Sequence, residues 1–172
     1  IHGTINGKDV WLSDLKNCKI RICDHIGALR MNNIHSCTII TGPITTSLHR
    51  SFFFFFFFCF VFIWPSLNNY MFQKKKKKKV HSMMRQCRIH DAKDTKFYIH
   101  VNSEPVIENS KGILFGVYGV QYKSLNDQIS TSGIDKDVNV WDKVKDFNWF
   151  RQQQSPNWSL LPLHERSSNI HI

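Results

Sequence analysis

Residues Asn17-Cys18-Lys19-Ile20-Arg21-Ile22 return 19 positions later as Ser36-Cys37-Thr38-Ile39-Ile40-Thr41, and this repeat constrains the fold more than any other feature of the chain. Shorter apolar-alternating pieces surround the two copies: Val10 with Leu12, and more loosely Ala28 with Met31. Short strands therefore recur about every ten residues, with polar or glycine corners between them and no helix-period segment. A period near 20 built from strands alone predicts an all-β parallel β-helix, because each coil can hide its inward side chains only by stacking on the next. Cys18 and Cys37 then stack inside, since small apolar thiols at one coil spacing read as a core ladder rather than metal ligands.

Residues 51–83 break the pattern. Phe52 to Phe58 are seven consecutive phenylalanines, Cys59-Phe60-Val61-Phe62-Ile63-Trp64 follows, and Lys74 to Lys79 are six lysines. The apolar run ends at Pro65 after 13 residues, short of the ~20 needed to cross hydrocarbon, so no membrane span is expected. Homopolymers of phenylalanine and lysine are what poly-T and poly-A tracts encode. The segment reads as translated non-coding sequence, a low-complexity interruption that cannot pack as a coil. Beyond it, Phe97, Ile99 and Val101 alternate with Tyr98 and His100, and Val106-Ile107 and Ile113-Leu114-Phe115 give further inward sets near Gly112 and Gly116. The β-helix is expected over 1–50 and 84–116. Residues 117–172, rich in Asp, Asn, Gln and Ser with spaced aromatics, are expected to form an irregular C-terminal part of the same domain. Within it, Trp141, Val144 and Phe147 suggest one short helix.

The net charge of +10 points first to nucleic acid, yet six of the 23 basic residues form the one lysine block, leaving 17 basic against 13 acidic residues elsewhere. With no binding motif and no distributed basic face, nucleic acid is not an expected partner. Five widely spaced cysteines fit a reducing compartment better than a disulfide framework. No tight cysteine pair exists and no histidine sits with a cysteine at zinc-site spacing, so no metal is expected. The chain also lacks a nucleophile–base set, a Gly-rich phosphate loop and paired carboxylates. It reads as a protein that completes another protein's site.

In strand register Gln86, Arg88 and His90 share one face and Cys87 and Ile89 the other, so the polar trio points outward if the cysteine points inward. A guanidinium stays charged at any physiological pH and offers a planar fork of donors that can bridge phosphoryl oxygens. Around Gln86-Cys87-Arg88-Ile89-His90 stand Gly42-Pro43 followed by Thr46-Ser47, then Pro105-Val106-Ile107-Glu108, Phe115 with Tyr118, Trp141 ahead of Asp146-Phe147-Asn148-Trp149, and Ser155-Pro156-Asn157-Trp158-Ser159. In this order and spacing the chain resembles the tubulin-binding cofactor C domain family, shared with the retinitis pigmentosa GTPase activator and more distantly the cyclase-associated proteins. The resemblance spans essentially everything except 51–83.

The resemblance implies a right-handed β-helix that acts, with cofactors D and E, as a GTPase activator toward β-tubulin during heterodimer assembly, in the cytoplasm and associated with the cytoskeleton. It implies Arg88 as an arginine finger assisted by Gln86, with His90, Glu108, Trp149 and Trp158 meeting the partner. No cofactor is implied, and GTP is met only through the partner. The chain departs from the family at Arg85, where a glutamine usually helps to position the catalytic arginine. Two other readings remain open: a small Arf-like GTPase as the client, or a non-catalytic β-helix adaptor for cytoskeletal subunits.

Overall fold

The computed structural model describes residues 5–45, 60–64, 78–167 and 169–172; Thr46, Ser47, Phe52 to Phe58 and Lys74 to Lys77 lie outside them. Ten strands follow one another first: β1 (Val10–Lys16), β2 (Lys19–Ile22), β3 (Leu29–His35), β4 (Thr38–Ile44), β5 (Phe60–Trp64), β6 (Lys78–Met84), β7 (Arg88–His90), β8 (Thr95–Val101), β9 (Val106–Glu108) and β10 (Ile113–Val117). They are followed by β11 (Val120–Gln121), helix α1 (Leu125–Ser132), β12 (Lys145–Asp146), β13 (Trp158–Leu160), the one-turn helix α2 (Leu163–Arg166) and β14 (Ile170–His171). The described residues are all-β with little helix. One six-stranded sheet runs β1-β3-β5-β7-β9-β12, a second runs β13-β10-β8-β6-β4-β2, and β11 pairs with β14. All pairings between these strands are parallel. Through β10, successive strands alternate between the two large sheets, a connectivity that fits a β-helix.

The 19-residue repeat has its origin at the corners. Asp14 (φ 55°) and Asn33 (φ 51°) bend the paired strands β1 and β3 at the same register position, and Asn17 (φ 56°) and Ser36 (φ 51°) occupy the corners that follow those strands. Further along, Asp91 (φ 53°) precedes Asn109 (φ 48°), and Asp94 (φ 48°) precedes Gly112 (φ 69°), each pair 18 residues apart. A left-handed residue at each bend is tolerated best by Gly or by short polar side chains that bond locally. These bends also tie to one another, as where Asn33 Nδ2 donates to Asp14 Oδ1 at 2.6 Å. Between corners, inward residues form one continuous core of isoleucine, leucine and methionine, joined by Phe97 and Phe115. Cys37 is 1% exposed, and the Cys18 N–H points at its Sγ at 3.4 Å, so the two thiols stack as the spacing predicts.

Three features differ from the expectation drawn from sequence. The stretch 51–83 supplies β5 and the start of β6, each hydrogen-bonded on both sides: β5 to β3 and β7, β6 to β4 and β8. Parallel pairing needs only backbone donors and acceptors in register, and neighbouring coils offer these whatever the composition. The stack also continues past residue 116, where β12 and β13 add one strand to each sheet. The helix expected around Trp141, Val144 and Phe147 is absent. The Lys145 N–H donates to Pro105 O at 2.8 Å and the Phe147 N–H to Ile107 O at 3.0 Å, so the open edge of β9 draws this segment into extended form.

Helix α1 lies instead over β4. Tyr118 Oη donates to Thr41 O at 3.0 Å, Tyr122 Oη to Gln128 Oε1 at 2.5 Å, and Gln128 Nε2 to Cys23 O at 3.2 Å. Burial pushes both tyrosine hydroxyls well above their ordinary pKa, so they remain donors. Gly42 makes this docking possible: a Cβ there would lie 2.5 Å from Asp24 O and against the Tyr122 hydroxyl. Gly42→Ala is expected to lower stability by about 1 to 3 kcal/mol through overpacking, seen as a lower urea midpoint.

His81 is buried on β6 with its ring stacked on Tyr98, 4.4 Å between centroids and 2° between planes. Burial, reinforced by repulsion from Lys79 and Lys19, lowers its pKa from 6.5 to about 4. The unfolded chain therefore binds this proton first as the pH falls. The contribution is complete above pH 6.5 and lost progressively toward about pH 4, up to about 3 kcal/mol. Urea unfolding at about pH 7 and about pH 4.5 should show this loss, and His81→Phe, which keeps a stacked ring without the titration, should flatten it.

Candidate functional site

Strand β7 lies inside its sheet, between β5 and β9. Cys87 and Ile89 are 2% and 0% exposed, whereas Gln86, Arg88 and His90 are half-buried on the opposite face. Alternation thus carries the polar trio outward on a backbone anchored by two core residues. Arg88 is in register with Phe60 and Val106, and His90 with Phe62 and Glu108. His90 Nδ1 is 3.0 Å from Glu108 Oε2, an ion pair when the imidazole is protonated. The Gln86 amide oxygen is buried and accepts no hydrogen bond among the described residues. Arg85 is exposed, and its carbonyl accepts from Ser103 Oγ at 3.0 Å.

The Arg88 guanidinium lies 5.3 Å over the ring of Phe147. That ring arrives from the C-terminal part of the chain, immediately after β12. A cation over an aromatic face gains about 0.5 to 1 kcal/mol at a partly exposed site, enough to bias the orientation of the side chain without burying its charge. Beside it, Lys145 pairs with Glu104.

Asp146 holds the loop that presents Phe147. Its Oδ2 accepts from Ser155 Oγ at 2.6 Å and Asn157 Nδ2 at 2.7 Å, and its Oδ1 from the Asn148 N–H at 3.0 Å. Asn148 Oδ1 accepts from the Asn109 N–H at 2.6 Å, which ties the loop to the corner after β9. The Asp-Phe-Asn-Trp and Ser-Pro-Asn-Trp-Ser motifs are therefore two halves of one hydrogen-bonded unit. Trp149 donates from Nε1 to Gln153 O at 2.7 Å and carries the Arg151 guanidinium 5.2 Å over its ring. Phe147, Trp149, Phe150 and Arg151 border an open groove of about 770 Å³. Trp158 borders the same groove from its floor: it packs against the core, edge-on to Phe115 with centroids 6.1 Å apart.

The structure thus brings Arg88, His90 and Glu108 onto one face and sets Trp149 in the adjoining loop. Phe147 and Asp146 enter the site although no chemical role was assigned to them from sequence. The signal for Asp146 is the pair of Asn-Trp motifs after it, which need a shared acceptor.

A family model described as tubulin binding cofactor C matches residues 7–51 and 57–147. The chain belongs to the tubulin-binding cofactor C family. Tubulin-folding cofactor C of Arabidopsis thaliana is 33% identical over 161 residues, covering 94% of this chain and 40% of the relative. Tubulin-specific chaperone C of Mus musculus is 33% identical over 163 residues, covering 94% and 41%. The chain thus spans about two fifths of the length of these curated relatives. Tubulin Binding Cofactor C from Leishmania major shares the fold, with a TM-score of 0.62 at 19% identity over 92% of this chain and 91% of that one. The cofactor C match pauses only at 52–56, so family-like sequence resumes ahead of β5 and covers Arg88, Glu108 and Phe147. Among the described residues no helix is long and apolar enough to cross a membrane.

Proposed function

We propose that this member of the family is a tubulin-folding cofactor C: a right-handed parallel β-helix that activates GTP hydrolysis on β-tubulin, working with cofactors D and E in the cytoplasm in association with the cytoskeleton. Arg88 is the arginine finger, inserted in trans beside the γ-phosphate. The observation that carries this reading is the anchoring of Arg88: its strand neighbours are core residues, its sheet continues on both sides, and its guanidinium stacks on Phe147. A finger must arrive at a fixed place with little ordering cost, and a packed sheet supplies that. Gln86 shares the face and offers an amide oxygen that has no acceptor role elsewhere among the described residues. His90 and Glu108 fix the rim through their mutual contact. Trp149 and its loop meet the partner, while Trp158 supports that loop from the core side.

The names of the relatives support tubulin as the client. The chemistry supports a role in trans, because the face offers an outward guanidinium beside a side-chain amide, the groups that stabilise a transferring phosphoryl group. Phosphate release from a mixture of tubulin, cofactors D and E, GTP and this chain, compared with its Arg88→Ala variant, tests the assignment. Equal release from the two would reject it.

A further inference from the structure

Trp11, on the outward face of β1, is 70% exposed, and the Arg30 guanidinium lies 4.9 Å over its ring. Tryptophan and arginine are the residues that most often dominate binding at protein interfaces. Here they are already stacked, so little side-chain freedom remains to be lost on binding.

The sheet register carries this pair onto the Arg88 face. Trp11 pairs with Arg30, and the Met31 to Ile63 pairing places Arg30 beside position 62. Position 62 pairs with His90, and His90 with Glu108. One row therefore crosses five adjacent strands from Trp11 to Glu108, with Arg88 two residues before His90 on the same face. Strands lie ~4.8 Å apart, so β1 is about 14 Å from β7. A standard interface of about 800 Å² per partner reaches both. Arg30 and Arg88 also give the face cations at two separated points.

We infer that Trp11 and Arg30 form a second anchor for the GTP-bearing client that Arg88 serves, gripping an apolar patch of that client edged by a carboxylate. The inference rests on the proposed function, and its test separates the two. With cofactors D and E present, tubulin binding and single-turnover GTP hydrolysis would be measured for the chain and for Trp11→Ala, Trp11→Phe, Arg30→Glu and Arg88→Ala. Trp11→Ala and Arg30→Glu are expected to raise the tubulin concentration for half-maximal rate about tenfold or more, with the maximal rate falling less than about twofold. Trp11→Phe should recover most of the affinity. Arg88→Ala should show the opposite split. Unchanged melting temperatures verify that these surface variants fold.

Tubulin affinity within about twofold of wild type for both Trp11→Ala and Arg30→Glu would overturn the second anchor, as would self-association of the chain that Trp11→Ala abolishes. An unaltered maximal rate in Arg88→Ala, with weakened binding in Trp11→Ala, would remove the finger and leave the docking face standing. No tubulin binding by the wild-type chain in the presence of cofactors D and E would overturn both.

Discussion

Arg88→Ala is expected to lower the stimulated rate of GTP hydrolysis by about 10³ to 10⁵, roughly 4 to 7 kcal/mol of barrier, while leaving the fold and tubulin binding largely in place. The size follows from where the charge acts: a guanidinium beside the transferring phosphoryl group neutralises charge that develops only in the transition state. The side chain is half-buried on the outward face, so its loss leaves the core packing in place, and the contact with Phe147 contributes about 0.5 to 1 kcal/mol. Arg88→Lys is expected to stay near the alanine value, since an ammonium retains the charge but not the planar fork. Single-turnover phosphate release from tubulin at saturating chain concentration is the measurement. Recovery of most of the rate by lysine would show that a point charge suffices and that bidentate contact has no part.

The second large effect is expected at Asp146. Its carboxylate gathers Ser155, Asn157 and the Asn148 N–H, and Ser155 is itself buried. Hydrogen bonds to a charged acceptor contribute about 1.5 to 3 kcal/mol each, and losing the acceptor leaves the buried Ser155 O–H with nothing to donate to, although its oxygen still accepts from the Asn157 N–H. Asp146→Ala is expected to cost about 4 kcal/mol in urea unfolding. Asp146→Asn should recover part of this loss, because its amide oxygen can accept from Ser155 and Asn157 in place of Oδ2 while its NH₂ then faces the Asn148 N–H, a donor. Both variants free the loop that presents Phe147, so the stimulated rate should fall with Arg88 untouched, and proteases should cut within 147–154. Wild-type stability in Asp146→Ala would mean that the Asn148 to Asn109 contact alone holds the loop.

These two sites differ in how they could be seen from sequence. Arg88 was legible: the Cys87 and Ile89 pair marks the inward face, and alternation puts Arg88 on the other. Its partner Phe147 was not. Phe147 comes from a segment that satisfies a helical period at Trp141, Val144 and Phe147 yet lies extended along β9. Local periodicity cannot register an open strand edge contributed by a coil far back in the chain. The low-complexity stretch misleads for the same reason. Composition argues against a coil there, whereas β5 and β6 are held by ladders to strands on both sides.

What the amino-acid order determined by itself is the strand repeat: the period, the inward cysteine ladder, and the bends at Asn, Asp, Ser and Gly. Each depends on neighbours one or two residues away, through alternation along a strand and the left-handed backbone that few side chains accept. Only the tertiary structure decided what covers and equips those stacked parallel strands. The docking of α1 in the notch at Gly42, the ring under Arg88, the carboxylate that joins two motifs, and the row from Trp11 to Glu108 all depend on register between distant strands. Register is set by stacking and by shared backbone hydrogen bonds across coils, a property of the assembled sheet that no single segment carries.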